Sequence, residues 1–97
     1  MTGVLNSARF RAVFRSLKCR VRFGTDLCIL DDWVEEFEEW RRKDVIVLEG
    51  VQVSANNSPV FHPSGTVSPL ATVTVSDGHE TYAVTIAITG RIKVRKL

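Results

Sequence analysis

Leu70-Ala-Thr-Val-Thr-Val-Ser76 and Tyr82-Ala-Val-Thr-Ile-Ala-Ile88 decide the fold class. Both alternate apolar and polar residues with the period of a half-buried strand. Ser76-Asp77-Gly78-His79 joins them, and Asp-Gly at the centre of a two-residue loop supplies the positive φ angles of a type I′ hairpin turn. This turn predicts Val73 opposite Tyr82 and Ala71 opposite Val84. Val73, Val75, Tyr82, Val84, Ile86 and Ile88 then share one face, and Thr72, Thr74, Thr81 and Thr85 share the other. A further loop of about three residues around Thr89-Gly90 leads to a third strand, with Ile92 opposite Ile88 and Val94 opposite Ile86. Arg91, Lys93 and Arg95 fall on its wet side. A three-strand meander with one apolar face must cover that face with another layer.

The chain has 97 residues, which bounds it to one domain. Its composition, 44% hydrophobic and 25% charged, is ordinary for a globular protein. The net charge of +2 is too small to imply a partner, but its distribution is uneven. Residues 1–22 carry six Arg or Lys and no acid, whereas residues 23–44 carry eight acids against three bases. Residues 45–90 contain no Lys or Arg, and four follow in the last seven positions. No apolar run is long enough to cross a membrane, and Met1-Thr-Gly-Val-Leu lacks the apolar core of a signal peptide. The chain is therefore read either as cytosolic or as a fragment separated from its targeting segment.

Val4 to Leu17 reads as a helix. Val4, Leu5, Ala8, Ala12 and Val13 are small or aliphatic, while Phe10, Phe14 and Leu17 form a bulkier stripe expected to cover the sheet. Arg9, Arg11 and Arg15 read as a solvated face. Cys19 to Leu30 reads as a hairpin with Val21 and Phe23 inward. A two-residue turn at Gly24-Thr25 places Val21 opposite Cys28, leaving Cys19 two positions away. That register favours free thiols over a disulfide and leaves the bridge open.

Asp31-Asp-Trp-Val-Glu-Glu-Phe-Glu-Glu-Trp40-Arg-Arg-Lys43 carries the strongest local helix signal. Asp32 with Glu35 forms a capping-box pattern, acids fill the first turn and bases close the last. Trp33, Phe37 and Trp40 then form one stripe, expected to be core; a partner-docking face is the alternative and requires them exposed. Burying each is worth about 2 kcal/mol, against about 0.3 kcal/mol for a pair such as Glu38 with Arg42. Asp44 to Val53 reads as a strand with a bulge at Gly50, and Val60-Phe61-His62 as a short strand ended by turn residues.

His62 and His79 lie beside turns with no nucleophile or carboxylate at catalytic spacing. Two cysteines without a CxxC pair give no zinc spacing, and no phosphate-binding glycine loop occurs. The reading is therefore non-enzymatic, with no cofactor and no metal.

Gly50-Val-Gln-Val53, Val60-Phe-His-Pro-Ser-Gly-Thr66 and Thr89-Gly-Arg-Ile-Lys-Val94, in that order, resemble the GspH/FimT family of minor pseudopilins and minor type IV pilins. Leu5-Asn-Ser-Ala-Arg-Phe-Arg-Ala12 resembles the end of the long pilin helix. The resemblance covers residues 4–22 and 46–95. It implies an α+β pilin-like domain, residues 1–97, with the C-terminal half of the pilin helix packed on antiparallel sheets. The apolar membrane half of that helix is absent from this chain. At residues 33–40 the family pattern has strand and loop, which conflicts with the local helix signal.

The resemblance further implies a structural subunit of a type II secretion pseudopilus or type IV pilus. Such a subunit is periplasmic, anchored in the inner membrane through its N-terminal segment and partnered by other pilin or pseudopilin subunits. Val4, Leu5, Ala8 and Ala12 are then expected on a helix face that meets those subunits. Some FimT-like pilins bind DNA through a Gly-Arg-x-Arg segment; Gly90 and Arg91 match it, Lys93 replaces the second arginine, and Arg95 adds a cation to the same face. DNA capture is thus a second reading. An unrelated small β-rich phage structural or cytosolic nucleic-acid-binding domain is a third.

Overall fold

The computed structural model describes residues 1–97. One helix, α1 (Thr2–Arg15), precedes eight strands: β1 (Cys19–Phe23), β2 (Leu27–Val34), β3 (Glu39–Val47), β4 (Gln52–Ala55), β5 (Val60–Phe61), β6 (Ala71–Ser76), β7 (Thr81–Ile86) and β8 (Ile92–Lys96). They form two four-stranded sheets, ordered β3-β2-β1-β5 and β4-β6-β7-β8, in which every pairing is antiparallel. The chain leaves the first sheet for β4, returns for β5 and leaves again for β6, which knits the sheets together. This is the α+β, pilin-like arrangement expected from the sequence.

The meander forms with the expected faces and a shifted register. Val73 pairs with Val84, Ala71 with Ile86 and Val75 with Tyr82. Asp77 is the reason. Its Oδ1 accepts the backbone N–H groups of His79 and Glu80, each at 2.8 Å, which places Asp77 before the turn and Gly78 (φ 92°) at its first central position. A glycine there suits a II′ turn, so the two-residue loop is Gly78-His79. Moving a turn by one residue moves the pairing by two, and the inward face survives. The first hairpin moves the same way: Gly24 N–H bonds the Leu27 carbonyl, and Val21 meets Leu30. After β7 the loop is Ile88 to Gly90, so Ile92 pairs with Ile86 and Val94 with Val84, and Ile88 is exposed.

Helix α1 packs through the face opposite to the one expected. Leu5, Ala8 and Ala12 are buried, whereas Phe10 and Phe14 are 67% and 75% exposed and stack at 5.3 Å. At about 100° per residue these stripes lie on opposite sides of the helix. Ser16, in the left-handed region at φ 54°, ends the helix, and β1 begins three residues later. Such a short connection lays β1 close against α1, where alanines fit and phenylalanines do not.

Residues 31–43 are not a helix. They form the end of β2, a 3₁₀ turn at Glu35–Phe37 and the start of β3, with Trp33 opposite Trp40. Their rings meet edge to face at 5.2 Å, Lys18 lies over Trp33 and Arg20 over Trp40. Both tryptophans are half-buried on the outer face of the first sheet, and Phe37 is 57% exposed at the hairpin tip, so the stripe is not core. The helix signal loses because its supposed caps are engaged elsewhere. Asp31, 1% exposed, accepts a bidentate pair from Arg22 at 2.6 and 3.0 Å and a bond from Arg20 at 2.9 Å. Asp32 points to the opposite face and accepts a bidentate pair from Arg11 of α1 at 2.9 and 2.6 Å. Gly50 (φ 75°) lies in the turn between sheets, not in a bulge; the register shift comes earlier, between Leu30 and Asp31.

The core joins Leu5, Ala8 and Ala12 to Val21 and Cys28 of the first sheet, Phe61 of β5, and Val73, Val84 and Ile86 of the second. Only 18 of 97 residues are buried, so each large core side chain matters. Phe61 is the largest of them. Phe61→Ala is expected to lower stability by about 3–5 kcal/mol, and Phe14→Ala by no more than about 0.5 kcal/mol, in urea unfolding monitored by circular dichroism.

Asp31 supplies the pH dependence. Burial pushes its carboxyl up, but the hydrogen bonds and charges of Arg22 and Arg20 outweigh burial and hold it below the usual carboxylate range. A depressed pKa stabilises the fold above the ordinary value of about 4, and that stability is lost as pH falls through the folded-state value. Asp31→Asn is therefore expected to lose about 2 kcal/mol at neutral pH. The gap from the parent should narrow below pH about 4, as urea unfolding at several pH values would report.

Candidate functional site

The groups that could serve chemistry are dispersed or inert. No three His, Cys, Asp or Glu side chains are grouped to hold a metal. Burial, and then the Asp32 charge, push the Cys19 thiol up to about 12, and its Sγ lies 3.5 Å from Asp32 Oδ1. Burial also raises Cys28. Both cysteines are buried and free, and Cys28 pairs with Phe23, four positions from Cys19 along β1. Neither thiol is a nucleophile at neutral pH.

The two motif glycines meet beneath helix α1. Gly65 (φ 89°) ends the Phe61-to-Gly65 turn, and Gly90 (φ 85°) precedes Arg91. A Cβ at Gly90 would lie 2.6 Å from the Gly65 carbonyl oxygen and 2.8 Å from Cδ of Arg9, so only glycine fits. Arg9 lies across both turns, with its Nη2 3.5 Å from a Cβ placed at Gly65. Two open clefts flank it. The larger, about 630 Å³, is lined by Ser7, Arg9, Phe10, Val13 and Gly65 among others. The smaller includes Asn6, Arg9, Gly90 and Arg91. No acidic side chain lines either cleft, and neither Arg9 nor Arg91 has an ion-pair partner.

The three expected DNA-contacting cations are divided. Lys93 and Arg95 pair with Thr85 and Ala83, which puts them on the outer, hydroxyl-rich face of the second sheet, where both are exposed. Arg91 lies before β8, in the smaller cleft beside Arg9. Lys96 projects to the other face and pairs with Glu80 at 2.8 Å. The expected docking face is displaced altogether. Leu5, Ala8 and Ala12 are 0%, 1% and 0% exposed and Val4 is half-buried, all against the domain's own sheets, because the close approach of β1 takes the small-residue side.

Two apolar features expected to be buried are accessible. One is the Phe10-Phe14 stack, whose helical spacing is the same as that of a core stripe. The other is the β2–β3 tip, where Glu35, Glu36, Phe37, Glu38 and Glu39 are all exposed. The strong capping pattern there masked a hairpin, and Glu38 in the left-handed region (φ 49°) was not signalled by its residue type.

No family model matches the sequence, and no curated protein matches it. Among solved structures, the minor pseudopilin EpsH from the type 2 secretion system of Vibrio cholerae superposes with a TM-score of 0.72. The superposition covers 95% of this chain and 88% of that one at 14% sequence identity, which shows a shared fold.

Proposed function

We propose that this chain is the globular domain of a minor pseudopilin, a structural and non-enzymatic subunit of a type II secretion pseudopilus. The observation that carries the reading is the architecture, one helix on two interlocked antiparallel sheets, a fold shared with a minor pseudopilin over 95% of the chain. Protonated buried thiols and dispersed polar groups fit a role in assembly rather than turnover. In this reading residues 1–97 form one domain, preceded by an apolar helix that anchors it in the inner membrane. The domain itself faces the periplasm, and its partners are other pseudopilin subunits. A minor type IV pilin has the same design and is distinguished by the machinery it joins.

The experiment is made in the source cell. Deleting the gene should abolish export of type II substrates, and the full-length chain should fractionate with the inner membrane after prepilin processing. Its coding frame should contain about 20 apolar residues ahead of Met1. Unchanged secretion, with a frame that begins at Met1, overturns the proposal.

A second reading adds DNA capture. Lys93 and Arg95 support it, since they stand on an accessible face of edge strand β8 without a carboxylate partner. Cations on an edge strand also discourage edge-to-edge pairing, so the test must be quantitative. If Arg91, Lys93 and Arg95 each meet a phosphate, duplex affinity should fall about forty-fold between about 50 and 200 mM salt, a log–log slope of about −2.7. Lys93→Ala should reduce that slope by about one without a change in sequence preference. Absence of binding at the lowest salt leaves a purely structural subunit.

A further inference from the structure

We infer that this protein binds a second copy of itself head to tail, with the acidic β2–β3 tip of one molecule seated in the cleft beside Phe10 of the next. The tip and the cleft are complementary in charge and share apolar character. The tip is accessible, with Phe37 57% exposed between acidic neighbours. Glu35 accepts the Trp33 indole N–H and Glu39 pairs with Arg41, so Glu36 and Glu38 are the tip carboxylates with no side-chain partner. The Arg41 guanidinium covers one face of the Phe37 ring at 4.7 Å. The Trp33–Trp40 contact braces the hairpin behind it, so little order has to be gained on binding.

The cleft offers the opposite properties. Phe10 and Val13 form an apolar wall, both exposed. Arg9 lines it without a carboxylate partner, and Ser7 and Ser64 add hydroxyl groups. No acid occurs in the first 25 residues, so nothing on α1 competes for Arg9. Within one molecule neither surface covers the other, since Phe10, Phe14 and Phe37 are all exposed at once. Phe37 of the partner copy would pack on Phe10, with Glu36 or Glu38 reaching Arg9. The two patches differ, so the contact is heterologous and propagates rather than closing as a two-fold dimer.

A single aromatic knob with two carboxylates covers less than the roughly 1,200 Å² typical of a stable complex. The expected dissociation constant is on the order of 0.1 mM. The contact is independent of the secretory reading, because it requires only the isolated domain.

The test is sedimentation velocity of the 97-residue protein from about 10 µM to about 1 mM, at low and high salt. The weight-average sedimentation coefficient should rise with concentration, and salt should suppress the rise. Phe37→Ala removes the knob and Phe10→Ala removes the wall; both side chains are exposed, so both variants should fold. Each alone should remain monomeric, with association weakened at least about tenfold. An equimolar mixture should recover a 1:1 dimer, since one variant retains an intact cleft and the other an intact tip. A parent that stays monomeric throughout, or a mixture that does not recover, overturns the inference. So does an association that Phe10→Ala abolishes and Phe37→Ala leaves unchanged, since the helix face would then be pairing with itself.

Discussion

Two adjacent carboxylates on β2 hold the architecture together. Strand geometry sends Asp31 and Asp32 to opposite faces. Asp31 gathers Arg20 and Arg22 on the outer face of the first sheet, and Asp32 reaches across the inner side to Arg11 of the helix. One side therefore ties β1 to β2, and the other sets the rotation of α1 about its axis. Removing Asp31 would leave Arg20 and Arg22, which are partly exposed, to rehydrate; its value lies in the burial of the carboxylate they neutralise.

That rotation decides which side of the helix is spent on the core. With Arg11 bound to Asp32, Leu5, Ala8 and Ala12 face β1 and β5, and the phenylalanines turn to solvent. Alanines permit close approach between helix and sheet, so a narrow stripe of small groups suffices. The aromatic surface thereby released, Phe10 and Phe14, faces solvent. The same constraint explains why the face with the fewest large side chains is unavailable to partners.

The motifs that carry the family resemblance act here as a structural joint. Gly65 and Gly90 belong to turns of different sheets, and their backbones approach too closely for any Cβ at Gly90. Arg9 closes the junction from the helix side. The Gly-Arg pair thus has two separable roles, with Gly90 locking the turn and Arg91 lining an open cleft. Its resemblance to a DNA-contacting segment lies in the cations, whereas its place in the fold lies in the glycine.

Much of the meander was legible in the sequence, because period-2 alternation specifies faces without knowledge of the partner strand. Val73, Val75, Tyr82, Val84 and Ile86 share a face as the pattern requires, even though each hairpin register moved by two. The turn residues also marked where the chain reverses; which of them occupies the centre depended on side-chain bonds such as those of Asp77. The helix at the N-terminus was legible as a helix but not in its orientation, since two apolar stripes on opposite sides are equally consistent with its periodicity. Residues 31–43 were misread because capping and charge placement are local signals worth tenths of a kcal/mol to about 1 kcal/mol each. Against them stand two strand ladders and three arginines that the sequence supplies from 9 to 21 positions away. Sequence alone determined the alternation, the turns and the distribution of charge, which are properties of neighbours along the chain. Tertiary structure decided which side of α1 is buried, what Asp31 and Asp32 bind and where Trp33 and Trp40 point. Those outcomes depend on groups that meet only once the chain has folded.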